Sequence, residues 1–355
     1  MKKIKIITVL WGNTYLTYFL DTVLPLLLSK NNIGSGSNLE NISMEILTRA
    51  NDYDRIVNNK YYKELEKRIP CEISTNLPII GNKYYEKITK TFPGTELLPM
   101  IGSKFRVVNI AHQRLIKKSL KDGYDGFIVL YPDSILADGS LKTVINKAQN
   151  NKIVYTVVNM RMKEHVVKDL VPYVKKGYIN TNDLFDVMKE NVHPITESYM
   201  MPRFGNDNPC VIIWKVNESC WIAKSMHHYP IYIDLDYIKN FKAPNHLDTY
   251  LLRQNLDKDS ICVLTNSDDC LMIDIIPDNL PSSDIKTKQM KDPMHINQIY
   301  RILRVMYKDT SESYQPYEYT FKIHNGKDPN GYDDVMKKVK EFTDGFFKYI
   351  KYKVN

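Results

Sequence analysis

The sequence predicts an α/β protein in which a mixed sheet is flanked by helices. Residues 4–10, IKIITVL, form a short β-branched apolar run, and apolar residues at helical spacing follow directly in YLTYFLDTVLPLLLS. A strand followed at once by a helix is the usual opening of an α/β sheet. A strand–helix–strand unit at residues 126–160 repeats the pattern, and 355 residues with 43% hydrophobic content suffice for a sizeable core.

The elements between these runs follow from the same patterns. Residues 105–120 carry apolar residues at helical spacing and lead into GFIVLY, residues 126–131, which predicts a buried strand. Residues 138–151 predict the next helix, and residues 152–160 predict the strand after it. A further helix is predicted for residues 180–191.

The chain then changes to short strands. CVIIWKV (210–216), SCWIAKSM (219–226) and YPIYIDL (229–235) predict a meander of three strands. Residues 259–275 predict another pair of strands, with a hairpin turn at NSDD.

A change of character near residues 276–284 predicts a domain boundary, with a catalytic domain at 1–280 and a C-terminal helical extension at 281–355. We expect the last helix to pack on its own domain, with membrane contact as the alternative. It places these apolar residues along one face: Val335, Val339, Phe342, Phe346 and Ile350.

Charge and cysteine content narrow the class of protein. The net charge of +8 comes from 49 basic and 41 acidic residues that are scattered along the chain, which permits an anionic substrate, nucleic acid or a membrane surface without requiring one. Five cysteines without C-x-x-C spacing argue against a zinc ribbon and a disulfide framework, and favour the reducing cytosol. No segment approaches the ~20 apolar residues of a membrane span, so we expect a cytoplasmic protein, with peripheral contact at the inner membrane face left open.

Asp133 follows the predicted strand at residues 126–131 and is the acid best placed for chemistry. Ligands of α/β sheets bind at the carboxyl ends of the strands. A carboxylate held there suits a divalent cation, Mn²⁺ or Mg²⁺, that bridges to a diphosphate. The alternative is a cap or turn residue, which is the better interpretation for Asp138 beside Gly139.

Several motifs, taken in order, resemble a family of bacterial glycosyltransferases with a GT-A-like (nucleotide-diphospho-sugar transferase) catalytic domain. The resemblance covers residues 4–274, about three quarters of the chain. It implies a GT-A-like, Rossmann-type mixed sheet, a nucleotide-sugar donor, and a glycan or lipid-linked acceptor in bacterial surface-polysaccharide biosynthesis. The matching segments are WGNTYLTYFLDTVLPLLL (11–28), YPDSILADGSL (131–141), VHPITESYM (192–200), IIWKV (212–216), MHHYPIYID (226–234) and HLDTYLL (246–252).

The resemblance also implies a donor and metal site. Asp133 would bind the cation or the donor diphosphate, with Ser134 beside it, although Ile135 stands where many such enzymes have a second acid. His227 and His228 would complete the metal site or hydrogen-bond the diphosphate. The alternative for both histidines is a structural role within a strand.

The remaining implied roles concern the nucleotide and the acceptor. Thr8, Trp11 and Gly12 end the first strand, where GT-A-like folds hold the base and ribose. Arg203 suits an oxyanion of the diphosphate or acceptor. Asp248 would act with Asp133 as a catalytic residue, taking the proton of the acceptor hydroxyl, unless it caps the helix that follows it.

Two other functions stay open at this point. One is a non-catalytic binding protein on the same scaffold, and the other is a glycosyltransferase that acts on nucleic acid. The sequence contains no P-loop, G-x-G-x-x-G, G-x-S-x-G or H-E-x-x-H motif, which disfavours P-loop enzymes, the usual dinucleotide enzymes, serine hydrolases and zincins.

Overall fold

The computed structural model describes the chain in ranges separated by short gaps. The ranges are residues 1–34, 39–77, 97–157, 160–205, 211–226, 228–241, 247–252, 254, 256–277, 295–307, 316–326 and 330–352.

The strands form a sheet of seven, a sheet of four and a sheet of three within these ranges. In chain order they are β1 (Ile4–Val9), β2 (Ile42–Leu47), β3 (Cys71–Ser74), β4 (Gly126–Val129), β5 (Ser134–Leu136), β6 (Ile153–Thr156), β7 (Arg161–Lys163), β8 (Met200–Met201), β9 (Val211–Asn217), β10 (Cys220–Ser225), β11 (Tyr229–Asp234), β12 (Ile261–Val263), β13 (Met272–Ile276) and β14 (Phe321–His324).

Helices surround the sheets, and a π-helical segment, Phe19–Val23, joins the first two. The helices are α1 (Asn13–Tyr18), α2 (Leu24–Leu27), α3 (Tyr53–Val57), α4 (Lys60–Glu66), α5 (Leu97–Lys121), α6 (Ser140–Ala148), α7 (Val166–Lys176), α8 (Thr181–Glu190), α9 (Pro194–Ser198), α10 (Leu235–Ile238), α11 (Leu247–Leu252), α12 (Ile296–Tyr307) and α13 (Tyr332–Tyr352).

The seven-stranded sheet has the order β12-β6-β11-β4-β1-β2-β3. Its neighbouring pairs are parallel except where β11 runs antiparallel to both β4 and β6. The chain builds outward from β1 through β2 to β3, and then returns to place β4 on the other side of β1. Helices flank the sheet, with α5 against β1 and β4 and α6 against β6 and β11. The predicted fold class, a Rossmann-type mixed sheet with flanking helices and a C-terminal helix, is confirmed.

The strands of this sheet are buried along their whole length where helices cover both faces. All six residues of β1 are buried, and so are all six of β2. The sequences of parallel strands that are covered on both faces are nearly continuous apolar runs, which is why IKIITV was predictable as a strand. The charged members of these runs, Lys5 and Glu45, are paired with each other.

Two predicted strand pairings were wrong. β9 and β10 are antiparallel neighbours as expected, but β11 leaves them and enters the large sheet between β4 and β6. β12 and β13 do not pair with each other, because β12 joins the large sheet and β13 lies between β5 and β7. β11 is buried on both faces, so it needs the two-sided cover that the large sheet provides.

The C-terminal segment contributes both helices and a strand. β14 pairs antiparallel with β10, and α13 packs on β9 through Phe342 and Trp214, whose rings lie 5.5 Å apart. Tyr300 of α12 packs on the Phe342 ring at 5.1 Å. The predicted boundary at residue 280 lies outside the described residues and stays a prediction. Within the described ranges, no helix has the length and apolar character needed to cross a membrane.

Candidate active site

The order of the strands predicts a ligand-binding crevice between the carboxyl ends of β1 and β4. These strands are neighbours whose following connections lead to opposite sides of the sheet, which is the position where open α/β sheets bind ligands. β1 leads into Trp11 and Gly12, and β4 leads into Tyr131 and Asp133. All four residues are half-buried, so they line a boundary between core and solvent.

The turn after β1 is held open by Gly12. Its φ of +81° is a conformation that other residues rarely adopt, and a Cβ placed there would meet nothing within 4 Å. The Gly12 amide donates to Asp52 Oδ2 at 3.3 Å, and the guanidinium of Arg49 lies 5.9 Å from the centre of the Trp11 ring. The turn therefore presents an accessible backbone beside an aromatic ring and an exposed cation.

The segment after β2 braces the start of α1. Arg55 donates from one guanidinium nitrogen to Asn13 Oδ1 at 2.6 Å and from another to Thr17 Oγ1 at 2.7 Å. These bonds connect the carboxyl end of β2 to the helix that follows β1. The segments that follow β1 and β2 are consequently joined by side-chain hydrogen bonds.

Asp133 lies in a turn between β4 and β5, well before α6 begins at Ser140. It is therefore not the cap of that helix. Its backbone carbonyl accepts a hydrogen bond from the Ile275 amide at 2.8 Å. Ser134 is fully buried, and its hydroxyl donates to Asp274 Oδ1 at 2.5 Å, so Ser134 holds the turn from inside.

Asp138 has a structural turn role, as predicted. Its carboxylate accepts from the Asn31 amide at 3.0 Å and from Asn31 Nδ2 at 2.8 Å. The amino end of α6 is capped by a residue far away in the sequence: Asn32 Oδ1 accepts from the amides of Gly139 (3.1 Å) and Leu141 (3.0 Å). The Asp138 carboxylate is therefore engaged with the segment after α2, while the role of Asp133 stays a prediction.

Tyr18 and Glu164 lie close enough to interact electrostatically, and Asp133 acts on the same tyrosine; neither Tyr18 nor Glu164 was singled out from the sequence. Tyr18 is 3% exposed. Burial raises the pKa of its hydroxyl, and Glu164, Tyr15 and Asp133 raise that pKa further by their interaction with it. Glu164 and Asp133 thus lie near the same hydroxyl, although they come from distant segments of the chain. Glu164 stands directly after β7, in a position that no local motif marks.

Asp274 was also missed. It lies at the centre of β13, where its register partners are Ser134 of β5 and Arg161 of β7. Burial raises the pKa of Asp274, while the Ser134 hydrogen bond and the Arg161 charge oppose that rise. An acid inside the apolar run LMIDII was the available signal, since a charged residue in a buried strand needs a partner.

The predicted metal ligands are not brought together by the described residues. His228 is 1% exposed, with Tyr155, Tyr319 and Phe321 ring centres at 6.0, 5.5 and 4.9 Å from its own. His227 lies outside the described residues. In the part of the chain that the structure describes, no three His, Cys, Asp or Glu side chains form a metal-binding group. Among the described residues, Asp133 thus belongs to no cluster of three side chains that could hold a cation.

Three further predicted residues lie at different depths. Thr8 is 1% exposed inside β1, beneath the Trp11–Gly12 turn. Arg203 is exposed in the connection after β8. Asp248 lies in the first turn of α11, and its side chain is outside the described residues. Their predicted roles stay predictions.

Comparison with known proteins gives likeness in structure only. No family model matches the sequence, and no curated protein sequence matches it significantly. Similar solved structures include S. aureus TarS 1–349 in complex with UDP-GlcNAc, at a TM-score of 0.36 and 9% identity, covering 86% of this chain and 66% of that one. The mannosyltransferase Ktr4p from S. cerevisiae has a TM-score of 0.30 and 10% identity, covering 67% and 57% of the two chains.

A third similar structure is the Mn/GDP form of core-mannan synthase A from Aspergillus fumigatus, with a TM-score of 0.29 and 10% identity, covering 67% of this chain and 61% of that one. The chain thus spans 57–66% of the length of these solved chains. At such TM-scores and identities the likeness carries no argument about function.

Proposed function

We propose that this protein is a glycosyltransferase that moves a sugar from a nucleotide-diphosphate donor to an acceptor hydroxyl. The observation that supports this most is the parallel pairing of β1 and β4, because the Trp11–Gly12 turn follows one strand and the Asp133 turn follows the other at the same edge of the sheet. The same two turns belong to the segments whose order along the chain resembles GT-A-like glycosyltransferases. Topology and sequence motif therefore converge on one edge of the sheet.

The β1 side of the crevice suits the nucleotide. The open backbone at Gly12 leaves room for close approach, and the Trp11 indole with Arg49 above it offers an aromatic surface and a positive charge. A nucleoside diphosphate needs both features, because its base is flat and apolar while its diphosphate is anionic.

The β4 side suits the diphosphate and the sugar. A departing diphosphate develops charge that must be stabilised, and a divalent cation held by Asp133 would supply that stabilisation. Asp133 is held by a strand and a turn, which fits the rigid placement that such a ligand needs. Asp248 is proposed to take the proton of the acceptor hydroxyl.

We further propose a glycan or lipid-linked acceptor in bacterial surface-polysaccharide assembly. This part rests on the sequence motifs alone. An assay that offers isolated surface glycan, its lipid-linked precursor and single-stranded RNA as acceptors separates it from a nucleic-acid acceptor. Transfer to RNA alone would contradict the glycan proposal and leave the donor chemistry intact.

A thermal-shift panel tests the proposed donor. UDP, GDP, CMP and dTDP sugars are added with and without Mn²⁺, and the unfolding midpoint is recorded. Stabilisation by one nucleotide class is expected, because a ligand that binds only the folded state raises its stability by RT ln(1 + [L]/Kd). No shift with any nucleotide sugar would argue for a non-catalytic binding protein.

A further inference from the structure

We propose that Asp274 is a positioning residue that acts on Asp133 through Ser134. The inference rests on the proposed function, because it assigns Asp133 to the donor. It adds a residue that the sequence motifs did not mark, from a strand that lies about 140 positions further along the chain.

β13 holds the Asp133 turn by two adjacent contacts. Ile275 donates its backbone amide to the Asp133 carbonyl at 2.8 Å, and Asp274 accepts the Ser134 hydroxyl at 2.5 Å. One contact fixes the backbone of Asp133, and the other fixes the side chain of the next residue. Together the two contacts fix the backbone from which the Asp133 side chain projects.

The Ser134 hydroxyl is engaged with Asp274 in the interior. Ser134 is fully buried, so its side chain does not reach the surface of the crevice. A short hydroxyl-to-carboxylate hydrogen bond belongs to the stronger class of protein hydrogen bonds. Asp274 is itself steadied on the other side, because its amide donates to the Met160 carbonyl at 3.1 Å and Arg161 is its register partner on β7.

Arg161 completes this arrangement from β7. Its backbone amide donates to Thr196 Oγ1 at 2.9 Å, and Thr196 is fully buried. Its charge favours the ionised form of Asp274. The row Ser134–Asp274–Arg161 therefore connects the Asp133 turn to α9 across the three-stranded sheet.

Donor binding in a set of variants tests the inference. Ser134→Ala and Asp274→Ala should each weaken binding of the nucleotide sugar by about tenfold, the usual effect of losing a hydrogen bond to a charged group. Asp274→Asn should bind within about twofold of wild type, because its amide oxygen still accepts the Ser134 proton. Ser43→Ala is the matched control: Ser43 is a buried residue of β2 whose hydroxyl donates to the Tyr124 hydroxyl at 2.7 Å, and its loss should leave binding unchanged.

A double-mutant cycle shows whether the effect passes through Asp133. Adding Ser134→Ala to Asp133→Asn should cause no further loss of binding, because the group being positioned is already disabled. Full additivity of the two losses would overturn the inference, and so would wild-type binding by Asp274→Ala.

Amide hydrogen exchange at Ile275 provides a readout that needs no nucleotide. Ser134→Ala and Asp274→Ala should speed exchange of this amide, while Ser43→Ala should not. If wild type binds no nucleotide sugar, the proposed function fails, and the exchange data still decide the positioning. Unchanged exchange at Ile275 in both variants would overturn it.

Discussion

Lys5 and Glu45 form an ion pair of 2.9 Å inside the large sheet, where they are 3% and 1% exposed. Glu45 also accepts from Lys118 at 2.8 Å and from Ser74 at 2.8 Å, so its carboxylate is fully engaged. We expect Glu45→Gln to lower the free energy of unfolding by about 3 kcal/mol, because it leaves Lys5 buried with a weaker counter-charge. Chemical denaturation measures this.

Glu64 provides the control for that prediction. It pairs with Lys67 and Arg68 on the exposed face of α4, where solvent screens the charges. Glu64→Gln should leave the unfolding midpoint unchanged. An equal loss of stability in Glu45→Gln and Glu64→Gln would show that the effect does not come from the burial of the Lys5–Glu45 pair.

The same pair predicts a dependence of stability on pH. Burial pushes the pKa of Glu45 upward, but hydrogen bonds from Lys118, Lys5 and Ser74 outweigh it and hold the pKa below its ordinary value of 4.5. A carboxyl with a lowered folded-state pKa stabilises the protein above its unfolded-state pKa and loses that contribution as the pH falls through the folded-state value. Unfolding curves recorded below pH 4.5 should show this loss in wild type and a smaller one in Glu45→Gln.

Elements of the fold were predictable from the sequence where a continuous stretch of residues carries the pattern of a strand or a helix. β1, β4 and α5 were predictable because each is a continuous apolar or periodic run. β5 and β14, at three and four residues, are too short to carry a period. The position of β11 in the sheet was not predictable from the local sequence pattern, because the pairing of a buried strand depends on contacts with residues far away in the chain.

The burial of Lys224 should make stability depend on pH in the alkaline range as well. It is 5% exposed on β10, and its ammonium donates to the Tyr317 carbonyl at 3.0 Å. Burial lowers the pKa of Lys224 from 10.5 to about 8, with the charge of Glu318 partly opposing. The folded state therefore prefers the neutral amine, and stability should rise as the pH increases through the window from about 8 to the unfolded-state value.

Lys224→Met checks the origin of this effect. It should abolish the rise in alkaline solution and be more stable than wild type at pH 7 by about 1 kcal/mol, since a buried charge is replaced by apolar volume. Lys337→Met, on the exposed face of α13, is the matched control and should follow wild type. A Lys224→Met profile that still rises between pH 8 and 10 would contradict the assignment.

The Asp274→Asn variant should keep the position of the Asp133 turn but change the pH dependence of protein stability. Burial raises the pKa of Asp274 above its ordinary value of 3.8, so the ionised form is a cost to the folded state. That cost is absent below the unfolded-state pKa and grows as the pH rises through the folded-state value. Asp274→Asn should therefore be at least as stable as wild type at pH 7, with an advantage that shrinks on acidification. Thermal unfolding at pH 4 and pH 7 measures it, and lower stability at pH 7 would contradict it.

The site was predictable to a smaller extent than the fold. Asp133 was proposed because it follows a strong strand signal, and Trp11 and Gly12 were proposed because they end another; all three stay predictions. Tyr18, Glu164 and Asp274 come from three distant segments that only the folded chain brings near the Asp133 turn. Their residue types are ordinary for a helix, a strand end and a buried strand, so no spacing rule marks them.

Donor titration against Asp133 and Asp138 variants tests the proposed site most directly. The nucleotide sugar with the largest thermal shift is titrated into wild type, Asp133→Asn and Asp138→Asn. Both acids lie in turns beside β5, but Asp133 borders the crevice while Asp138 bonds Asn31. We predict at least about tenfold weaker binding for Asp133→Asn at an unchanged unfolding midpoint, and wild-type binding for Asp138→Asn. Wild-type donor affinity in a folded Asp133→Asn protein would contradict the proposed site.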